Sequence, residues 1–456
     1  SGNGTLYLLG NSTLGFGNDS SQGVSIVQNK LIMNGNSHLD MRNNMFDSVI
    51  VNEFGTLNRS DDERTSISFD TDLSDFTNIK NDQISTNKIV TNSGASNKVI
   101  LNIGAVNVVK DNLGPTTEIG RLHLVTGKDN FVDYDTFNKL TINDTTVATA
   151  NRVYNFEQNT TGTSAEKGEL IVSITSTTGY TLPQVIKAET GGIVVDSYSL
   201  TENQELSENE KLGTLARYDL DTPRDLAVFG NGNKIDAKQK ADAGVTVNKD
   251  DSLLLDNITM DNFTGDAITV GSDGMVDITN GSLINGNIKN AGDLGIQDSV
   301  IGVVEINDDT QEVENITGAI QNTGTLDLED SVVVGTIRNN GTPSGTINTT
   351  GHVLIMGGAI NPTDNVVMEA SQANINNGTL TAMGDIEFNN TTLQNATLNM
   401  QNILNNMPIN VNANLGNLTL NSDATLKMDA DIKEMSMSTV KVNSAGPNLN
   451  GNDINL

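Results

Sequence analysis

Cysteine and tryptophan are absent from these 456 residues, aromatic residues make up 4%, and histidine occurs three times. Without cysteine there is no disulfide staple, no thiolate nucleophile and no Cys-based zinc site. A Cys-free chain of this length suits a bacterial export substrate that must stay unfolded through an oxidising periplasm. Positive charge is scarce too: 26 Lys and Arg stand against 57 Asp and Glu, for a net charge of −31. That balance argues against a phosphate-reading nucleic-acid surface and against a peripheral grip on anionic lipid. It favours solubility, which a chain with many strand edges needs. No run of about 18 apolar residues occurs, so no helix of this segment is expected to insert in a membrane. The chain opens Ser-Gly-Asn-Gly with no basic-then-apolar leader, which reads as an interior segment of something longer.

What is present is a recurring phrase: a small residue, x, Ile, x, Asn, x, Gly, then alternating apolar residues and a Gly, Asn or Asp turn. It stands at Gly286-Asn287-Ile288-Lys289-Asn290-Ala291-Gly292 and at Gly318-Ala319-Ile320-Gln321-Asn322-Thr323-Gly324. It returns at Gly345-Thr346-Ile347-Asn348-Thr349-Thr350-Gly351 and, one residue shorter, at Ala373-Asn374-Ile375-Asn376-Asn377-Gly378. The closing glycines, 292, 324, 351 and 378, step by 32, 27 and 27 residues. A period of this size without helical patterning predicts an all-β β-solenoid whose coils stack on one another. Leu326-Asp327-Leu328 and Leu418-Thr419-Leu420 show the alternation that turns one face inward. Glycine and asparagine supply corners, and asparagines at equivalent corners are placed to bond from coil to coil.

A longer repeat joins the two ends. Leu39-Asp40-Met41-Arg42-Asn43 matches Leu398-Asn399-Met400-Gln401-Asn402, and Phe69-Asp70-Thr71-Asp72-Leu73 matches Met428-Asp429-Ala430-Asp431-Ile432, both at an offset of 359. Between them lies a different stretch. Tyr134, Tyr154, Tyr180, Tyr198 and Tyr218 fall within 129–222, with Phe131, Phe137, Phe156 and an acidic run from Glu202 to Glu210. The expected organisation is therefore coils over 1–128, a Tyr-rich inserted β subdomain over 129–222, and coils again over 223–456.

Ser66-Ile67-Ser68-Phe69-Asp70-Thr71-Asp72-Leu73, Asn81-Asp82-Gln83-Ile84 and Val99-Ile100-Leu101-Asn102-Ile103 resemble the passenger region of autotransporter-type bacterial surface adhesins. The coils from Leu226 to Ser282 are similar to those of large bacterial surface proteins. The resemblance touches most of 1–128 and 224–456 and leaves out the Tyr-rich middle. It implies a right-handed parallel β-helix, export, and adhesion or display.

Chemistry-bearing residues are few. His38, His123 and His352 are far apart in sequence and sit at strand edges or outward positions. Acids cluster at Asp70/Asp72/Asp75, Asp133/Asp135, Asp219/Asp221 beside Tyr218, and Asp250/Asp251. Paired carboxylates are the currency of glycoside hydrolysis and of Ca²⁺ ligation, but in a chain this acidic they also arise on solvated faces. No nonapeptide calcium repeat, EF-hand loop, nucleophile elbow or pectinolytic pattern occurs. No catalytic, metal or cofactor residue is assigned on this reading, and Ca²⁺ is the single candidate ion.

The expected function is a non-enzymatic structural or adhesive segment of a large extracellular protein on a bacterial cell surface. Its partner would be a host or neighbouring-cell surface ligand, or copies of itself end to end. Two alternatives remain: a repeating subunit of an extracellular filament or surface layer, and a carbohydrate-active β-helix such as a tailspike or polysaccharide lyase. A groove of acids faced by Arg or Lys would favour the last.

Overall fold

The computed structural model describes residues 3–10, 12–16, 23–42, 45–56, 65–91, 99–103, 116–126, 140–143, 146–159, 169–176, 178–219, 222–306, 313–338, 344–357, 366–400, 411–428, 430–431 and 436–445. The chain is all-β, with large sheets built mainly from parallel pairs. Among the described residues the one α-helix is Leu182–Ile186. It opens on a capping box: Thr181 N–H donates to Gln184 Oε1 (2.9 Å) and Gln184 N–H to Thr181 Oγ1 (3.4 Å). By contacts the chain forms two units. One is Ser1–Val185, Glu189–Thr201 and Leu226–Asn231; the other is Ile186–Ala188, Glu202–Asp225 and Gly232–Leu456. The division falls inside the Tyr-rich stretch.

In the first unit, Thr5–Leu8, Ser25–Met33, Ser48–Thr56, Gln83–Thr91 and Val125–Thr126 pair in parallel, each with the next. So do Thr13–Gly15, His38–Asp40, Ser66–Phe69, Val99–Ile103 and Leu140–Asn143. Parallel register sets like on like. Leu31, Phe54 and Ile89 form one inward column and Leu39, Ile67 and Leu101 another, all sealed from solvent. Each such side chain contributes roughly 1.5–3 kcal/mol by burial. From Thr116 the pairing turns antiparallel: Thr116–Leu122 and Val153–Gln158 both flank Leu170–Ser176. Tyr154 and Phe156 join the same hydrophobic core as Leu31 and Leu101, so the aromatic residues extend that core.

The second unit carries three parallel ladders. The first runs through Val245–Val247, Asp266–Val270, Asn287–Asn290, Ile320–Asn322 and Ile337–Arg338. The second runs through Ser252–Asp256, Met275–Thr279, Asp293–Gln297 and Thr325–Glu329. The third runs through Thr259–Phe263, Leu283–Ile284, Val300–Ile301 and Val332–Val333. The long strands Thr346–Ile355, Val366–Ala382, Asp385–Gln394 and Asn412–Asn421 continue them, one strand serving more than one ladder.

The rungs have a basal length. Leu283 pairs with Val300 and Ile320 with Ile337, steps of 17 residues, while Ile288 pairs with Ile320 at a step of 32. The excess of 15 is residues 303–317. There Val304–Ile306 and Val313–Ile316 form an antiparallel hairpin stem, closed by Thr317 N–H to Val303 O at 3.1 Å. Spare chain leaves at a corner and the ladders run past it.

Backbone conformation marks the corners. The residue after each second-ladder strand is left-handed: Asn257 (φ 46°), Asn280 (60°), Asp298 (48°), Asp330 (44°), Gly351 (64°), Asn377 (48°), Asn395 (49°) and Ser422 (51°). Asn, Asp and Gly tolerate that region best because a short polar side chain bonds locally and glycine has no Cβ. Another corner stacks glycines. A Cβ on Gly292 would lie 2.3 Å from Gly274 O, and one on Gly324 would lie 2.1 Å from Gly292 O.

This corrects the order of the glycine repeat. Gly345 follows Gly324 in that column, since Thr325 pairs with Thr346, while Gly351 stacks under Gly378 in a different one. Ile347 lies against Ala373, and Ile375 against Thr349. The first and second ladders both ask for an aliphatic residue inside and a small one at the corner, so the same phrase serves both.

Asparagines do bond between rungs: Asn52 to Asn29 (2.8 Å), Asn374 to Asn348 (2.7 Å), Asn417 to Asn390 (3.0 Å), and, fully buried, Asn290 to Asn322 (2.8 Å).

Candidate interaction face

The structure separates the acid clusters that the sequence groups. Asp70 is buried; Asp72 accepts from Ser74 N–H (2.8 Å); Asp75 accepts from the Thr77 hydroxyl (2.6 Å) and amide (2.9 Å), which lower its pKa. Asp133, Asp135 and Asp221 lie outside the described residues. Asp219 accepts from Thr222 N–H at 2.7 Å. Asp250 is exposed and left-handed. Asp251 is buried, accepting from Arg217 Nε (2.6 Å) and Arg224 N–H (2.9 Å). The histidines stay apart in their roles. His38 Nδ1 meets the Ser66 hydroxyl at 3.3 Å, His123 Nε2 lies 3.5 Å from Glu169, and the His352 amide donates to Asp330 at 2.7 Å. Among the described residues no group of three His, Asp or Glu side chains is placed to hold a metal ion.

The buried carboxylates do a common job. Asp82 takes the amides of Asp47 (2.7 Å) and Asp70 (2.6 Å), and Asp47 takes that of Val24. Ser282 and Ser331 play the same part for the amides of Ile258 (3.1 Å) and Ser299 (3.3 Å). Each satisfies a corner N–H that the ladder leaves over. Three carboxyls together exact a cost at Asp82: burial, then the charge of Asp70 and of Asp47, push its pKa up to about 9. At Asp40 burial also acts upward, but Arg42, bound at 2.8 Å, outweighs it and holds the carboxyl below its ordinary value.

Arg224 went unsignalled in the sequence. It is buried and donates to the carbonyls of Ala216 (2.8 Å) and Ile186 (3.1 Å), with Tyr218 4.6 Å beneath its guanidinium. It ties three segments together and faces no open cleft.

An open feature exists on the outer face of the first ladder. Successive rungs supply Asp266, then Asn287 and Lys289, then Ala319 and Gln321, then Thr336 and Arg338, around a trough of about 370 Å³. Ile288 and Ile320 turn their side chains inward, so backbone forms the floor. Ala319, exposed, is its shallow-walled point. Lys289 Nζ sits 2.5 Å from Asp266, and Arg338 3.7 Å from the buried Glu369. Asn287 Oδ1 is fixed by the Ala319 amide at 3.0 Å. The trough thus presents alternating donors and acceptors, its cations balanced by acids. Lys289, Gln321 and Arg338 are 32 and 17 residues apart in sequence, a spacing that only the ladder register brings together.

No family model, curated protein or solved structure matches this chain.

Proposed function

We propose that the ladders are the faces of a right-handed parallel β-solenoid, and that this segment serves a large extracellular bacterial surface protein as a non-enzymatic structural and adhesive element of the autotransporter-passenger kind. The observation that carries the reading is the in-register stacking of three ladders with one left-handed corner residue per rung. Such a stack needs no catalytic centre, and its buried carboxylates are committed to backbone amides. Aligned cross-rung hydrogen bonds suit a stiff, hydrated presenting surface.

Electron microscopy of the purified chain tests the architecture: elongated particles with a repeat of about 4.8 Å along their length are expected, and compact particles without it would refute the solenoid. Antibody labelling of intact producing cells tests the location. Signal confined to lysed cells would refute display.

A second reading, a repeating subunit of a filament or surface layer, has one observation in its favour. The coils related by the 359-residue offset share a ladder step of 28, His38 to Ser66 and Thr397 to Thr425. Leu39 and Met41 are buried as Leu398 and Met400 are.

A further inference from the structure

We propose that the trough on the first ladder binds a neutral, linear, polyhydroxylated glycan lying along the ladder direction. This goes beyond the structural role and does not require it. Neighbouring rungs are about 4.8 Å apart, and a β-linked pyranose chain advances by nearly the same length per sugar. A glycan laid over Lys289, Gln321 and Arg338 therefore meets a fresh polar side chain at each sugar. The Asp266–Lys289 and Glu369–Arg338 pairs each set a donor beside an acceptor, the arrangement that neighbouring hydroxyls can bridge.

Charge decides between glycan classes. Both trough cations face an acid, and the chain as a whole carries −31, so a polyuronate is repelled at long range. No aromatic ring lines the trough, so stacking contributes nothing and single-site affinity is weak. Copies displayed together compensate through multivalency.

The test titrates the full 456-residue chain, by ligand-observed NMR, with cello-, xylo-, manno- and chito-tetraose, and with tetragalacturonate as the charged comparator. At least one neutral tetramer binds, more tightly than its dimer and more tightly than tetragalacturonate. Ala319→Phe fills the trough and lowers affinity at least tenfold. Gln321→Ala lowers it several-fold, with the melting curve unchanged, and carries the test if Ala319→Phe does not fold. Thr419→Ala, on the second ladder, leaves binding intact. The proposal is overturned if no neutral tetramer binds, if tetragalacturonate binds more tightly, or if the trough variants bind as well as the parent. The antibody-labelling experiment on intact cells is independent of all these outcomes.

Discussion

Asn290 donates from its side-chain amide to the side-chain carbonyl of Asn322, 2.8 Å away on the next rung, and both residues are sealed from water. They occupy inward positions of the first ladder, in line with Val270 on the preceding rung. Two amides in an aliphatic column are tolerated because their polar atoms are engaged. Asn290 also reaches Thr325 O (2.7 Å) and takes the Gly292 amide (3.1 Å), and Asn322 reaches Thr346 O (3.1 Å).

Asn322→Ala leaves Asn290 and the Thr346 carbonyl short of partners at once. A loss of about 2–3 kcal/mol is expected, read as a lower urea midpoint with unchanged slope. Replacing both asparagines by valine removes both sets of polar atoms and should cost less than the sum of the single changes. A strictly additive double variant would refute the coupling.

Glycine substitutions separate close approach from backbone conformation. Gly324→Ala forces a methyl to within 2.1 Å of Gly292 O and should cost about 3 kcal/mol or more, because neighbouring rungs must part. Gly281→Ala meets nothing within 4 Å but holds φ at 77°, and should cost about 1 kcal/mol. Thermal melts of the two variants side by side check the order.

Asp82 makes stability fall as pH rises. Its carboxyl titrates near 3.8 when unfolded and near 9 when folded, so between those values the folded chain holds the extra proton. The slope from this group approaches about 1.4 kcal/mol per pH unit. Asp82→Asn abolishes that slope, although it weakens one of the two amide contacts. The measurement is the difference in unfolding free energy between parent and variant at pH 5, 7 and 9; a difference independent of pH would rule out the buried proton. Asp40 has the opposite sign: Arg42 lowers its pKa, so its contribution is lost as pH falls below about 4.

Excision of 303–317 restores the 17-residue step seen on the neighbouring rungs. With the corner closed between Gly302 and Gly318, whose Cα atoms already approach closely, stability should change by no more than about 1 kcal/mol. Circular dichroism and a urea melt would show it. Loss of cooperative unfolding would mean that the hairpin is integral to the ladders.

The strand pattern was legible because alternation is a local signal. Leu326 and Leu328, or Leu418 and Leu420, point inward as their spacing requires. Which rung lies on which was not legible. Ile288 and Ile320 are truly stacked, while Ile347 and Ile375, in the same phrase, are not, since hairpins and bulges shift the count between them. The acids were visible as clusters but not as caps. Asp82 looks like any other aspartate until the Asp47 and Asp70 amides are seen to point at it. Arg224 and the trough left no sequence mark, because their partners come from distant segments.

Because excess chain departs only where a strand ends, each rung is free to differ in length from its neighbours. The Val303–Thr317 stem leaves and re-enters through a single narrow gate, with the Thr317 hydroxyl moored to Asn285 at 2.8 Å. A foreign peptide spliced at that gate would be carried as cargo while the hydrogen-bonded stack beneath it kept its own alignment, which makes the molecule a scaffold open to grafting.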